Sequence, residues 1–155
     1  MVSTLSPDGA VSAPRMQRAG VVTCLVIDDA ELDTSVGDVA HEALVRLGAV
    51  VVVPSGDGLV GAFRRMTDAL RAVLELRTQL PASRLALCAG ETGSRGEFGS
   101  IADKATRLMT DAEPGSTLLS KLAGVLAMDH LPSDRTLFER CERGDRERCF
   151  ELRNA

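Results

Sequence analysis

The chain has 155 residues, 45% hydrophobic, 26% charged and 3% aromatic, with a formal net charge of −4. That length suits one domain burying roughly two-thirds of its unfolded surface, and the mild acidity argues against a nucleic-acid backbone or a membrane surface as partner. No apolar run approaches the roughly 18 residues a membrane-spanning helix needs.

Residues 1–20 are rich in Ser, Pro, Gly and Ala, with neither a basic n-region nor an apolar h-region. They read as a flexible leader rather than a secretory signal, ahead of one domain over 21–155. The run VVTCLVI (21–27) is apolar without alternation and ends in Asp28-Asp29, the pattern of a strand buried on both faces. GDVAHEALVRL (37–47) has apolar residues at 39, 43, 44 and 47, which predicts a helix with Gly48 as its C′ residue. AVVVV and LVGAF flank a Gly-Asp-Gly turn at 56–58 and predict a hairpin. Residues 66–80 repeat apolar side chains at helical spacing and stop at Pro81. RLALCAG (84–90) predicts a strand, followed by a polar Gly-rich loop.

Ser100 and Asp103 have the spacing of a capping box, so residues 100–112 are expected as a helix. A further helix is expected over 115–128, and residues 136–152 as a hairpin turning near Gly144-Asp145. Together these elements predict an α+β sandwich, an antiparallel-rich sheet with helices mainly on one face. Strands without alternation need cover on both faces, and a second subunit is the expected cover for the other, hence a homodimer.

Single residues read mostly as structure. Met66, Met109 and Met128 are expected in the core, as are Phe63 and Phe98. Cys24 and Cys88 are expected as buried thiols; Cys141 and Cys149 complete four cysteines with no Cys-x-x-Cys spacing. Without an export signal, these imply reduced thiols and a cytoplasmic location. His41 reads as an exposed helix residue and His130 as a loop residue; neither has the company a zinc site requires.

The motifs in order resemble the class III adenylate and guanylate cyclase catalytic domains. VTCLVIDDAELD is similar to that family's first strand, GAVVVVPSGDGLVGAF to its hairpin, and RLALCAGETG to the strand before its Gly-rich loop. EFGSIADKATRLMTDAEPGSTLLS is similar to its Phe-Gly-x-x-Val-Asn-x-Ala-x-Arg-Leu segment and the Pro-Gly after it. The resemblance runs from about Val21 to Leu152 and implies a ferredoxin-like sandwich of the class III nucleotidyl cyclase type. It also implies a site for Mg²⁺ or Mn²⁺, if that site is intact, held by two carboxylates on adjacent strands. By motif position these are Asp28 and Asp57, with Asp29 offering its backbone carbonyl. A receiver domain also begins with an apolar strand and paired acids, but a phosphoacceptor Asp and a Lys-Pro are missing here.

The departures from the family are as informative. Val53 stands where the family carries its purine-reading Lys, and Gly96, beside Glu97, where the Lys partner stands. Asp103 replaces the ribose-orienting Asn, while Arg107 keeps the place of the transition-state Arg. Asp103 and Arg107, at i and i+4, also have the spacing of a surface ion pair. Only fourteen residues separate Asp33 from Gly48, room for one helix where the family has two. No lysine of the tail falls in the phosphate-reading register, where Arg143 and Arg146 are the nearest cations. Each lost transition-state donor costs about 3 kcal/mol. The resemblance therefore implies a pseudo-cyclase: a dimerising regulatory or ligand-binding module with a nucleotide, another small ligand or a regulatory protein as partner. The alternative is an atypical cyclase converting ATP or GTP to a cyclic nucleotide and pyrophosphate with two divalent metals.

Overall fold

The computed structural model describes residues 15–16, 20–28, 34–55, 58–141 and 148–154. The elements are β1 (Val21–Asp28), α1 (Thr34–Arg46), β2 (Val51–Ser55), β3 (Gly58–Phe63), α2 (Met66–Gln79), β4 (Arg84–Glu91) and α3 (Gly99–Thr110). There follow β5 (Thr117–Ser120), α4 (Lys121–Ala127), a 3₁₀ turn (Met128–His130), β6 (Arg135–Cys141) and β7 (Arg148–Asn154). They form one seven-stranded sheet in the order β2-β3-β1-β4-β5-β7-β6. Every pairing is antiparallel except β4–β5. A parallel pair needs a crossover, and α3 supplies it, returning from the Gly90 end of β4 to its Leu85 end.

The unbroken hydrophobicity of β1 follows from burial on both sides. Val22, Cys24 and Val26 pack with α3 residues Ile101, Ala105, Leu108 and Met109. Leu25 and Ile27 point the other way, into a cluster with Leu44, Leu70, Val73, Leu76 and Ala123 from α1, α2 and α4. Three helices thus lie on one face and one on the other, the α+β sandwich expected. Part of the second face is covered from within the chain, by α3 and by Met16, itself only 3% exposed.

Helix ends follow local chemistry. After α1, the Ala49 N–H donates to the Leu44 carbonyl at 2.9 Å and the Gly48 N–H to that of Val45 at 3.2 Å. This is a Schellman closure, and it requires the left-handed φ of +109° at Gly48. α2 ends before Pro81, which cannot continue it.

Several expectations fail for identifiable reasons. Residues 117–120 are a strand, because Leu118 and its neighbours complete ladders with both β4 and β7. The helix starts only at Lys121, with Ser120 Oγ accepting from the Ala123 N–H at 3.3 Å. Ser100 and Asp103 form no capping box: α3 begins at Gly99, and its N-cap, Phe98, makes no side-chain cap. Met128 is 52% exposed rather than core, since it opens the 3₁₀ turn beyond the buried stripe of α4. Met66 and His41 are each half-buried. The two carboxylates are expected on adjacent strands; β1 is bordered by β3 and β4, so of the two hairpin strands only β3 is its neighbour and β2 is a sheet edge. The β6–β7 hairpin is present, but its expected turn at Gly144-Asp145, with Arg143 and Arg146, lies outside the described residues. Among the described residues no helix is long and apolar enough to cross a membrane.

Candidate functional site

Asp28 closes β1 at the point where the strand leaves the core. In the antiparallel register it stands directly across from Arg84, the first residue of β4. Directly opposed residues project on the same face, and the Arg84 guanidinium donates from Nη2 to Asp28 Oδ2. The two side chains are 32% and 14% exposed, so water screens them only partly. Sequence reasoning missed Arg84. The residue is visible at the head of RLALCAG, but only the strand register tells which side chain it meets.

On the other side of β1, the return strand of the hairpin comes very close. Gly58 extends the β1–β3 register past Leu59, which pairs with Ile27. A Cβ on Gly58 would sit 1.9 Å from the Ile27 carbonyl oxygen, so only glycine permits this approach. Ser55 pairs with Gly58 across β2 and β3. Asp57 and Asp29, the other candidate ligands, lie outside the described residues. Among the described residues, no three His, Cys, Asp or Glu side chains gather in a way that would hold a metal ion. The one candidate ligand that the structure describes, Asp28, is bound to an arginine, so a cation there would have to displace the guanidinium.

The substituted positions are equally concrete. Val53 is 8% exposed and packs in the α3-side core cluster with Val60 and Ala62, an apolar setting that offers a nucleobase no hydrogen bond. Gly96 has φ +83°, and a Cβ there would meet the Met16 carbonyl oxygen at 2.2 Å. The Met16 N–H donates to the Gly96 carbonyl at 2.7 Å, and the Arg15 backbone pairs with that of Glu97 in an isolated antiparallel bridge. Met16 therefore occupies the surface at Gly96. Asp103 and Arg107 are exposed on α3, and they form no ion pair with each other. Asp28 faces the α3 side of the sheet, and the C-terminal half of α3, with Arg107, returns towards that end of β4.

Cys24 and Cys88 stand opposite one another across β1 and β4, and both side chains are fully buried. Burial, then the neighbouring Cys88 sulfur, pushes the Cys24 thiol up to about 12. A thiol so far from ionisation is an inert core residue rather than a nucleophile. At the far end of β4 a cavity of about 570 Å³ has Ala89, Leu122 and Val125 in its lining together with the cations Lys104, Lys121 and Arg148.

No protein-family model matches the sequence, and no curated protein matches it. The fold is similar to that of solved structures. One is an adenylate/guanylate cyclase/hydrolase from Silicibacter pomeroyi, with a TM-score of 0.66 at 18% identity, covering 87% of this chain and 97% of that one. The adenylyl cyclase CyaB from P. aeruginosa gives 0.64 at 12% identity, covering 89% and 96%. Adenylate cyclases of Trypanosoma brucei in their monomeric state give 0.61 at 16%, covering 91% and 92%.

Proposed function

On this class III nucleotidyl cyclase homology fold, we propose that the chain is a non-catalytic module that dimerises and acts by binding a ligand or a regulatory protein. One observation carries the reading: the carboxylate at the end of β1 is bound to Arg84. A cation must displace that guanidinium from a charge pair that water screens only partly. The apolar burial of Val53 and the occupation of Gly96 by Met16 support it further. Sites that read a base by hydrogen bonds lose discrimination by orders of magnitude when the partners are absent. Mg²⁺ or Mn²⁺ would supply Lewis-acid activation of a ribose hydroxyl, and would have to displace Arg84 from Asp28 to be held there. Purified protein incubated with ATP or GTP and Mg²⁺ or Mn²⁺ is expected to release no cyclic nucleotide above a protein-free blank. Turnover that disappears in Asp57→Ala refutes the proposal.

The active-cyclase alternative rests on the tight β1–β3 approach at Gly58, which keeps the frame around Asp28, and on the exposed Arg107. Calorimetry showing neither metal nor nucleotide binding at millimolar concentration removes it. Dimerisation rests on the uneven cover of the second sheet face, where Phe138 on edge strand β6 is 46% exposed. Light scattering that returns a monomer at working concentration counts against it.

A further inference from the structure

A cavity of about 400 Å³ opens where the last turn of α2 meets the starts of β5 and β6 and the end of β7. Its lining includes Arg77, Ser116, Thr117, Arg135, Glu151 and Asn154. Thr117, Arg135 and Asn154 share strand parity with Leu119, Leu137 and Leu152, which pack on the α1, α2 and α4 side. They therefore project on the face opposite Asp28. By the same alternation Glu151 turns away. Its carboxylate accepts from Arg153 at 3.0 Å and from Arg140 at 3.1 Å, while the Arg153 guanidinium lies 4.6 Å from the centre of the Phe138 ring. Arg153 and Glu151 also line the cavity but pair with one another, which leaves Arg77 and Arg135 as the lining cations without a buried carboxylate partner.

These groups are unevenly satisfied. Arg77 Nη2 donates to the Ser83 carbonyl and to Ser83 Oγ, the latter at 2.6 Å. Ser83 Oγ gives its own hydrogen to the Leu80 carbonyl at 2.7 Å. Arg77 Nε and Nη1 are enclosed and have no partner, and the same holds for the Thr117 hydroxyl, on a residue only 1% exposed. Burial holds the Arg77 guanidinium below its usual value. Arg135 Nη1 donates to Asp134 at 2.8 Å, but that carboxylate is 71% exposed and competes weakly. Enclosed polar atoms without partners are rare in folded proteins. Here three such atoms belong to two residues that line one cavity, all three can donate, and the Glu151 carboxylate is engaged by Arg153 and Arg140.

We propose that this cavity binds a small-molecule oxyanion, a phosphate ester or a carboxylate, through Arg77, Arg135 and the Thr117 hydroxyl. The volume falls in the range of about 300–1,000 Å³ typical of small-ligand sites, and arginine suits the geometry of both anions. The site is separate from the Asp28 cleft and stands whether or not that cleft retains chemistry.

The test is titration of the full chain with inorganic phosphate and with succinate at constant ionic strength, read by calorimetry. At least one of the two is expected to bind saturably, and the choice between them identifies the anion class. Arg135→Gln removes one charge at the cavity mouth. Thr117→Val removes a hydroxyl that has no protein partner, so its unliganded melting temperature is expected to match or exceed that of the parent. Each variant is expected to weaken binding about tenfold or more, the scale of a hydrogen bond to a charged group. No saturable binding of either anion, affinity unchanged in either variant, or a lowered melting temperature in Thr117→Val overturns the proposal.

Discussion

Arg84→Met, combined with Asp28→Asn, tests the pairing on which the functional reading depends. Methionine keeps most of the volume of the aliphatic stem and removes the guanidinium. Both side chains are less than a third exposed, so the pair is screened less than a surface bridge, whose worth is typically ~0–1 kcal/mol. It is also less enclosed than a fully buried one, where loss of one partner costs about 3–5 kcal/mol. Arg84→Met should therefore destabilise by about 2 kcal/mol, much of it from leaving Asp28 half-buried and unpaired. With a urea m-value of about 2 kcal/mol/M, that lowers the midpoint by about 1 M. Asp28→Asn should cost less, because the amide carbonyl still accepts from Arg84. The double variant should fall short of the sum by about 1–1.5 kcal/mol, the coupling expected of two groups in contact. Urea unfolding of the four proteins, followed by circular dichroism, gives the cycle. Additivity within about 0.3 kcal/mol would mean that the two side chains do not interact, and the argument that Arg84 occupies the carboxylate would collapse. The same Arg84→Met protein should also gain affinity for Mn²⁺, measured by calorimetry, if the guanidinium is what excludes a cation.

Gly58→Ala should destabilise by about 2–3 kcal/mol in thermal melts, because its Cβ would lie 1.9 Å from backbone that cannot swing aside. A melting temperature within a degree of the parent would show that the hairpin does not approach β1 so closely. Cys24 has its folded value raised from 9.0 to about 12, so its contribution to stability is complete below about pH 9 and lost as pH rises towards 12. Cys24→Ala should flatten that alkaline loss in urea titrations, and a thiol reagent at pH 8 should label Cys24 only after unfolding. The Glu151 carboxylate is held below its usual range, first by its hydrogen bond from Arg153 and further by the charges of Arg153 and Arg140. Its contribution is present above the unfolded value of 4.5 and lost as pH falls through the lower folded value. Glu151→Gln should therefore lose less stability on acidification than the parent, as measured by melting temperature against pH.

Much of the architecture is legible along the chain because the determinants are local. The two-sided burial of β1 is written in VVTCLVI, the end of α2 in Pro81, and the closure of α1 in Gly48. The misreadings arise where neighbours in space decide. Thr117–Ser120 could serve a helix by composition and is a strand because β4 and β7 lie on either side of it. Ser100 has the spacing of a cap and is passed over because burial of Phe98 starts the helix one turn's edge earlier.

The candidate site divides in the same way. Residue identity alone establishes that Val53 and Gly96 carry no side-chain hydrogen-bonding atom and that Asp103 carries no amide donor. Which atoms replace them is a matter of partners 56 or more residues distant, as with Arg84 on Asp28 or Met16 against Gly96. The register of β1 against β4, and the alternation that turns Glu151 away from Arg77 and Arg135, are collective properties of seven strands packed between helices. A one-residue slip would move every side chain of a strand to the other face. Chemistry is therefore set by sequence, and the pairing of charges by tertiary packing.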